Sequence, residues 1–308
     1  YHIHARNSFA SSTPSVSKDA VYVAFATPEQ ITLLALSHSG ELIWKREDLG
    51  GYASQHGFAS SPVLFGDTLV LTSLQQSKDG TPTGSSVMAF DRSTGADLWS
   101  TPRVSGKASY SVPCLHATDA GDELVLCSTT HGMFGLDLST GKETWSVPQA
   151  FSMRTVSSPL IKGNLAFGST GSGGGGNYVV AVDLLTKKEK YRVTKQAPYV
   201  PTPVAFGDLV FLWYDKGVVR CISAPTGETV WRERVGGNYS GSPVRIGDKV
   251  YCIAEDGTVV VLAASKEFQM LGKTKLGEDS RSTPAISGGR MFLRTYSKVF
   301  CLAAGKST

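Results

Sequence analysis

Few side chains in this sequence stand at the spacings that chemistry requires. Six histidines (His2, His4, His38, His56, His116 and His131) carry neither an HExxH nor a GxSxG pattern. His2 and His4 would share one face of a strand and could ligate a metal, although paired histidines are ordinarily surface decoration. Five cysteines (Cys114, Cys127, Cys221, Cys252 and Cys301) sit singly in apolar runs. Without CxxC or CxxCH, zinc and covalent haem lack their spacing. Cys114 and Cys127 flank a turn at residues 119–122. Buried free thiols are the expected state there, and a disulfide in an oxidising compartment is the alternative. The glycine run at 171–176 lacks the Gly-Lys-Ser/Thr ending and the helix of a phosphate loop, so it reads as a loop between strands. The polar stretch 73–86 reads as a surface excursion.

The elements that position these side chains are legible from repetition. Ala89, Asp91, Thr94, Gly95 and Trp99 return as Gly135, Asp137, Thr140, Gly141 and Trp145, and as Cys221, Ser223, Thr226, Gly227 and Trp231. A worn copy holds Asp183, Lys187 and Tyr191, and a shorter one runs from Ala35 to Trp44. A second marker, usually Ser/Thr-Pro, places Pro14, Pro62, Pro113, Pro159, Pro203, Pro243 and Pro284 at intervals of 48, 51, 46, 44, 40 and 41 residues. That makes seven units. Each reads as four short strands: one after the proline, a second after a Gly-Asp hairpin turn, a third, and a fourth carrying the tryptophan. Proline fits the first position of a strand because it has no N–H to donate. Helical periodicity is absent, and four strands per 44 or so residues describe a propeller blade.

The chain has 308 residues, 41% hydrophobic and 18% charged, with a formal charge of +4 and a pI near 8.7. That composition supports a folded core and argues against disorder. No Lys/Arg-rich run points to nucleic acid, and no run of 18 apolar residues crosses a membrane. The expected architecture is therefore all-β: a seven-bladed β-propeller of four-stranded antiparallel blades, forming one domain over 1–308 and a monomeric ring. The last unit lacks a fourth strand, and residues 1–5 alternate like one. They are expected to close the ring.

The Ala-x-Asp-x-x-Thr-Gly-x-x-x-Trp unit resembles the tryptophan-docking motif of PQQ-like propellers, a family that includes quinoprotein alcohol dehydrogenases and BamB-type adaptors. The resemblance implies that Asp and Thr-Gly shape a tight turn while Trp99, Trp145 and Trp231 pack between blades. The stretch from His2 to Trp145 is also similar to secreted PQQ-like repeat proteins of Planctomycetes-type bacteria, which implies an eight-bladed parent as the alternative. A quinoprotein enzyme would need a carboxylate base, calcium ligands and often a vicinal cysteine pair. The cysteines here are not adjacent, and most aspartates belong to turns.

Binding is expected on the face where inter-blade connections emerge. The connections before each proline carry Arg6, His56, Tyr110, Arg154, Tyr199, Tyr239 and Arg281, an aromatic and cationic set suited to an acidic or anionic partner. The expected function is a non-catalytic protein-interaction scaffold without cofactor or metal, periplasmic or secreted, its signal peptide outside this chain. The alternatives are a quinoprotein-like oxidoreductase or PQQ-binding sensor, and binding of an anionic polysaccharide. Deleting residues 1–6 is expected to give an open or aggregation-prone protein on size-exclusion chromatography, because an unpaired strand edge invites association. A truncated chain that stays monomeric with unchanged melting would refute closure by this segment.

Overall fold

Burial alternates along the strands as a blade packed on its neighbours demands. Ile31–Leu36, for example, is buried and half-buried by turns. The computed structural model describes residues 4, 11–76 and 84–303. Blade 1 comprises Ser15–Val16, Val21–Ala26, Ile31–Leu36 and Leu42–Arg46; blade 2 comprises Val63–Phe65, Thr68–Ser73, Ser86–Asp91 and Asp97–Pro102. Blade 3 comprises Cys114–Thr118, Gly121–Ser128, Gly132–Asp137 and Glu143–Val147; blade 4 comprises Leu160–Lys162, Leu165–Thr170, Tyr178–Asp183 and Lys188–Val193. Blade 5 comprises Val204–Phe206, Leu209–Tyr214, Val218–Ser223 and Thr229–Arg234; blade 6 comprises Val244–Ile246, Lys249–Ile253, Thr258–Ala263 and Met270–Lys275. Blade 7 has three strands among the described residues, Ala285–Ser287, Arg290–Arg294 and Val299–Ala303. Every blade is an antiparallel meander in sequence order, so the expected all-β, seven-bladed propeller is found. Of the segment expected to complete blade 7, residues 1–3 and 5 lie outside the described residues.

Contacts group the chain into two compact units, Tyr1–Ile161 with Leu185–Lys188, and Lys162–Leu184 with Glu189–Thr308. In the first, one face of blade 1 (Ile31, Leu33, Ala35) packs on Leu69, Leu71, Met88 and Phe90. The opposite face of blade 2 (Val70, Val87, Ala89) packs on Leu124, Leu126, Phe134 and Leu136. In the second unit Phe211, Trp213, Val219 and Cys221 pack on Val250, Cys252, Val260 and Leu262. Each Val, Leu, Ile, Phe or Met among them stabilises by roughly 1.5–3 kcal/mol when fully buried. Surface ion pairs contribute about 0–1 kcal/mol each, so the interleaved apolar faces dominate.

The two sequence markers are the polar joints of these interfaces. Thr13 N–H donates to Ser61 Oγ at 2.9 Å, Val112 N–H to Ser158 Oγ at 3.2 Å, Thr202 N–H to Ser242 Oγ at 3.0 Å and Ser242 N–H to Thr283 Oγ1 at 2.9 Å. At Ser61, Ser158, Ser242 and Thr283 the residue before the proline thus receives the neighbouring blade's backbone.

In the docking turn, Asp91 Oδ1 accepts from Ser93 Oγ (2.6 Å), Thr94 N–H (2.8 Å) and Thr94 Oγ1 (2.8 Å). The Ser93 and Thr94 hydroxyls hold its carboxyl down to about 2. Gly95 N–H closes the turn on Asp91 O at 2.8 Å, as Gly141 N–H does on Asp137 O at 2.8 Å. A bulge follows at the same place in blades 1, 2, 3, 5 and 6, between Ala35/Leu36, Ala89/Phe90, Gly135/Leu136, Cys221/Ile222 and Val261/Leu262. Bulges re-aim a side chain, and in blades 1, 2, 3 and 5 they accompany the docking aromatic, whose place in blade 6 is held by Gly272.

Each aromatic lies on the turn of the following blade. The indole N–H of Trp44, Trp99 and Trp231 donates to the carbonyls of Arg92 (3.0 Å), Leu138 (2.8 Å) and Ser265 (3.0 Å). Tyr191 donates its hydroxyl to Ala224 O.

Trp145 departs from the pattern. Its indole donates to Glu123 Oε2 at 3.2 Å within its own blade. Lys187 stands where other copies have glycine, at φ 54°, with Nζ 4.9 Å from the Trp145 ring centroid and 3.3 Å from the same carboxylate oxygen.

Gly141 has φ +70°, and a Cβ there would lie 2.4 Å from Trp99 Cε3. Gly163 has φ +54° but open space around it. Gly141→Ala is therefore expected to destabilise by roughly 2–4 kcal/mol, and Gly163→Ala by about 1 kcal/mol. Urea unfolding of the two variants checks the difference, and equal losses would show that aromatic docking does not depend on the bare turn.

Candidate functional site

The connections that precede the proline steps are held by short hydrogen bonds. In the first unit Ser54 Oγ bonds Gly57 O at 3.0 Å and Tyr110 Oη at 2.8 Å, and it accepts from His56 N–H at 3.2 Å. Tyr110 N–H reaches Thr155 O at 3.3 Å. Gln75, itself buried, pins the same region: its Nε2 donates to Gly51 O at 2.8 Å and its Oε1 accepts from Ala53 N–H at 2.9 Å. These bonds fix the loops from which the candidate side chains project.

Three residues singled out from the sequence converge there. The half-buried His56 ring lies 6.4 Å from Tyr110, edge to face, and 4.5 Å from the ring of His4. Arg154 is close enough for its charge to act on His56. Burial, then Arg154, then His4, push the His56 imidazole below its ordinary value. Beneath them Tyr52 is buried edge-on against Phe58 at 5.0 Å, and burial pushes its phenol upward. Arg6, expected in the same set, lies outside the described residues.

In the second unit Tyr199 and Tyr239 are brought together by a residue that the sequence did not flag. Asp215 accepts Tyr199 N–H at 2.7 Å on Oδ2 and Val200 N–H at 3.1 Å on Oδ1, while its backbone carbonyl accepts Tyr239 N–H at 2.8 Å. Burial raises the Asp215 carboxyl against the lowering effect of those two N–H bonds. Its only sequence signal is the Asp-Lys-Gly turn at 215–217. Tyr239 is 2% exposed, with its ring edge-on to Trp213 at 5.3 Å, so it is a support beneath the loops. Tyr199 is half-buried and Arg281 exposed.

The other candidate groups have structural placements. All five cysteines are free thiols. Cys114 is one strand away from Val125 in register, and its Sγ lies 2.8 Å from Pro159 O. The 171–176 run is a turn in which Ser172 N–H is held by Asn177 Oδ1 at 3.0 Å. Among the described residues no group of three or more His, Cys, Asp or Glu side chains is arranged to hold a metal ion. The carboxylates that hold the connections in place, Asp215, Glu255 and Glu278, are engaged with Tyr199 and Val200, with Ser240, and with Thr295 and Ser297 respectively.

A family model described as outer membrane protein assembly factor BamB matches residues 4–213 and 215–306. The chain belongs to this family. The resemblance read from the docking motif therefore holds over almost the whole chain. BamB of Burkholderia pseudomallei (strain K96243) is 32% identical over 103 residues, a segment covering 33% of this chain and 26% of that protein. The match thus takes in about a quarter of the curated relative's length.

BamB from Moraxella catarrhalis superposes with a TM-score of 0.69 at 17% identity, covering 97% of this chain and 84% of that one. A europium-containing methanol dehydrogenase gives 0.58 at 13% identity, covering 82% and 64%. The computationally designed Ika8 protein gives 0.61 at 14% identity, covering 97% and 98%. At these identities the likeness is one of fold. No helix among the described residues is long and apolar enough to cross a membrane, which leaves strand-based crossing unaddressed.

In this BamB-family chain His56 reports on its cluster. Its folded-state pKa is depressed, so its contribution to stability is present above the unfolded value and is lost as pH falls through the folded one. An NMR titration is expected to place its midpoint below 6.5. Arg154→Met is expected to move it upward but not fully back, because burial is the larger cause. An unchanged midpoint would separate Arg154 from the cluster.

Proposed function

We propose that this chain is a non-catalytic, BamB-like protein-interaction scaffold that works outside the cytoplasm as a single domain over 1–308. Its partner surface is carried by the connections bearing Arg6, His56, Tyr110, Arg154, Tyr199 and Arg281, with Tyr239 supporting them. The observation that carries the reading is the His56–Tyr110–Arg154 cluster, held on hydrogen-bonded loops. Tyrosine and arginine dominate binding hot spots because they bury large area at modest entropic cost. Pre-fixed loops reduce the ordering cost further. Relatives named for outer membrane protein assembly add the expectation that the partner is a protein.

The non-catalytic reading rests on how the motif carboxylates are used. Asp91 and Asp137 are saturated by neighbouring Ser and Thr hydroxyls and held well below the ordinary carboxylate range, so neither is poised as a base near neutral pH.

The test is affinity capture from the native host with the wild type and with an Arg154→Ala/Arg281→Ala double variant. The double variant is expected to lose the captured protein while its Tm changes by less than about 2 °C, as surface substitutions do. Undiminished capture would overturn the assignment of these loops. Added PQQ with calcium is expected to leave Tm unchanged, and a clear rise would favour the cofactor-binding alternative.

A further inference from the structure

Where the third and fourth strands pair, the position just before the docking aromatic's partner forms one cross-strand pair per blade. These pairs are Leu34–Lys45, Met88–Ser100, Phe134–Ser146, Arg220–Arg232 and Val260–Lys273. Four set an apolar residue on the third strand. Blade 5 sets two guanidinium groups directly opposite each other, an arrangement that destabilises a sheet unless something neutralises it.

Arg220 is 9% exposed, and its Nε has no hydrogen-bond partner. Its Nη1 makes a long 3.5 Å contact with Thr229 Oγ1. None of the ion pairs among the described residues includes Arg220 or Arg232. A buried guanidinium without an acid is costly and calls for a counter-charge.

Two other interfaces show what is missing. Arg46 lies over the Phe90 ring at 5.4 Å and pairs with Asp97 at 2.9 Å; Arg103 lies over Phe134 at 4.7 Å and pairs with Glu143 at 2.8 Å. Asp97 and Glu143 each open the fourth strand, opposite Phe90 and Leu136. In blade 5 the corresponding place, opposite Ile222, is Thr229. In blades 2 and 3 the guanidinium comes from the end of the preceding blade and meets a carboxylate at this place; in blade 5 it comes from the blade's own third strand and meets a hydroxyl. Thr229 and Arg232 are both exposed, so the opening faces solvent.

We propose that Arg220, Arg232 and Thr229 form a binding site for one oxyanion, supplied as a free inorganic ion or as the carboxylate of an acidic side chain on a partner. The two guanidinium groups offer forked N–H donors, and the threonine hydroxyl offers a third direction. This site is distinct from the loop residues of the scaffold reading and does not depend on it.

The full chain is melted in sodium sulfate and in sodium chloride at matched ionic strength. Sulfate stabilises proteins generally, so the readout is the increment of wild type over variants, expected to be roughly 2–4 °C. Arg220→Met is expected to melt no lower than wild type in chloride and to lose that increment. Thr229→Glu, which supplies an internal acid as Glu143 does in blade 3, is expected to melt higher in chloride and also to lose it. Equal sulfate increments in all three proteins would overturn the proposal. So would a large loss of stability in Arg220→Met with its sulfate increment intact. Calorimetric binding of a hexaglutamate peptide, abolished by Arg220→Met, assigns the anion to a partner's carboxylate. A sulfate increment without peptide binding assigns it to a free ion.

Discussion

The contact on which everything else depends is an aromatic ring laid on the backbone of the next blade's turn. Trp44, Trp99, Tyr191 and Trp231 each hand a polar hydrogen to a main-chain acceptor on that turn. Blade spacing is thereby fixed by two rigid bodies, a ring and a tight turn. The apolar faces between blades can then interleave without each pair having to find its own distance. The Asp-Ser-Thr hydroxyl network explains why the turn is stiff: one carboxylate oxygen satisfies both side-chain and backbone donors. In blade 5, Ser223 keeps the backbone bond from Gly227 without that carboxylate. The bond that closes the turn thus recurs in blades 2, 3 and 5, while the acid is a reinforcement that blade 5 does without.

This division of labour explains why a sequence with so many Asp, Ser, Thr and Trp residues holds little reactive chemistry. The polar groups that catch the eye are consumed in joints. What is left for recognition lies in connections held from below by residues such as Gln75 and Asp215, whose own side chains are withdrawn from solvent.

The architecture was legible because its signals are local. A proline every 40 to 51 residues, a Gly-Asp turn and a tryptophan at fixed offset each report a requirement met within a dozen residues. The strands expected after the proline and after the Gly-Asp turn are found in blade 6 as Val244–Ile246 after Pro243 and Lys249–Ile253 after Gly247-Asp248. The contacts that sequence reading did not find join residues far apart. Asp215 reaches back to Tyr199, and Glu123 meets Lys187 across 64 positions. No spacing rule announces such a pair. Tyr239 illustrates a related limit, since a loop tyrosine looks the same in sequence whether it caps the surface or braces it. The degenerate fourth copy was readable as a copy, but not as a change of bonding type.

That change has a mechanical meaning. The joints made by Trp44, Trp99 and Trp231 use neutral main-chain acceptors and are indifferent to the surrounding medium. The Trp145 joint instead combines a carboxylate, an ammonium group and a ring face. Burial works to raise the Glu123 carboxyl, but bonds from Thr144, Trp145 and His116 and the charge of Lys187 outweigh it and keep it ionised. Salt screens such an arrangement, and acid discharges it. Among the docking joints of the described residues, this one owes its strength to charge and so responds to the solution around it.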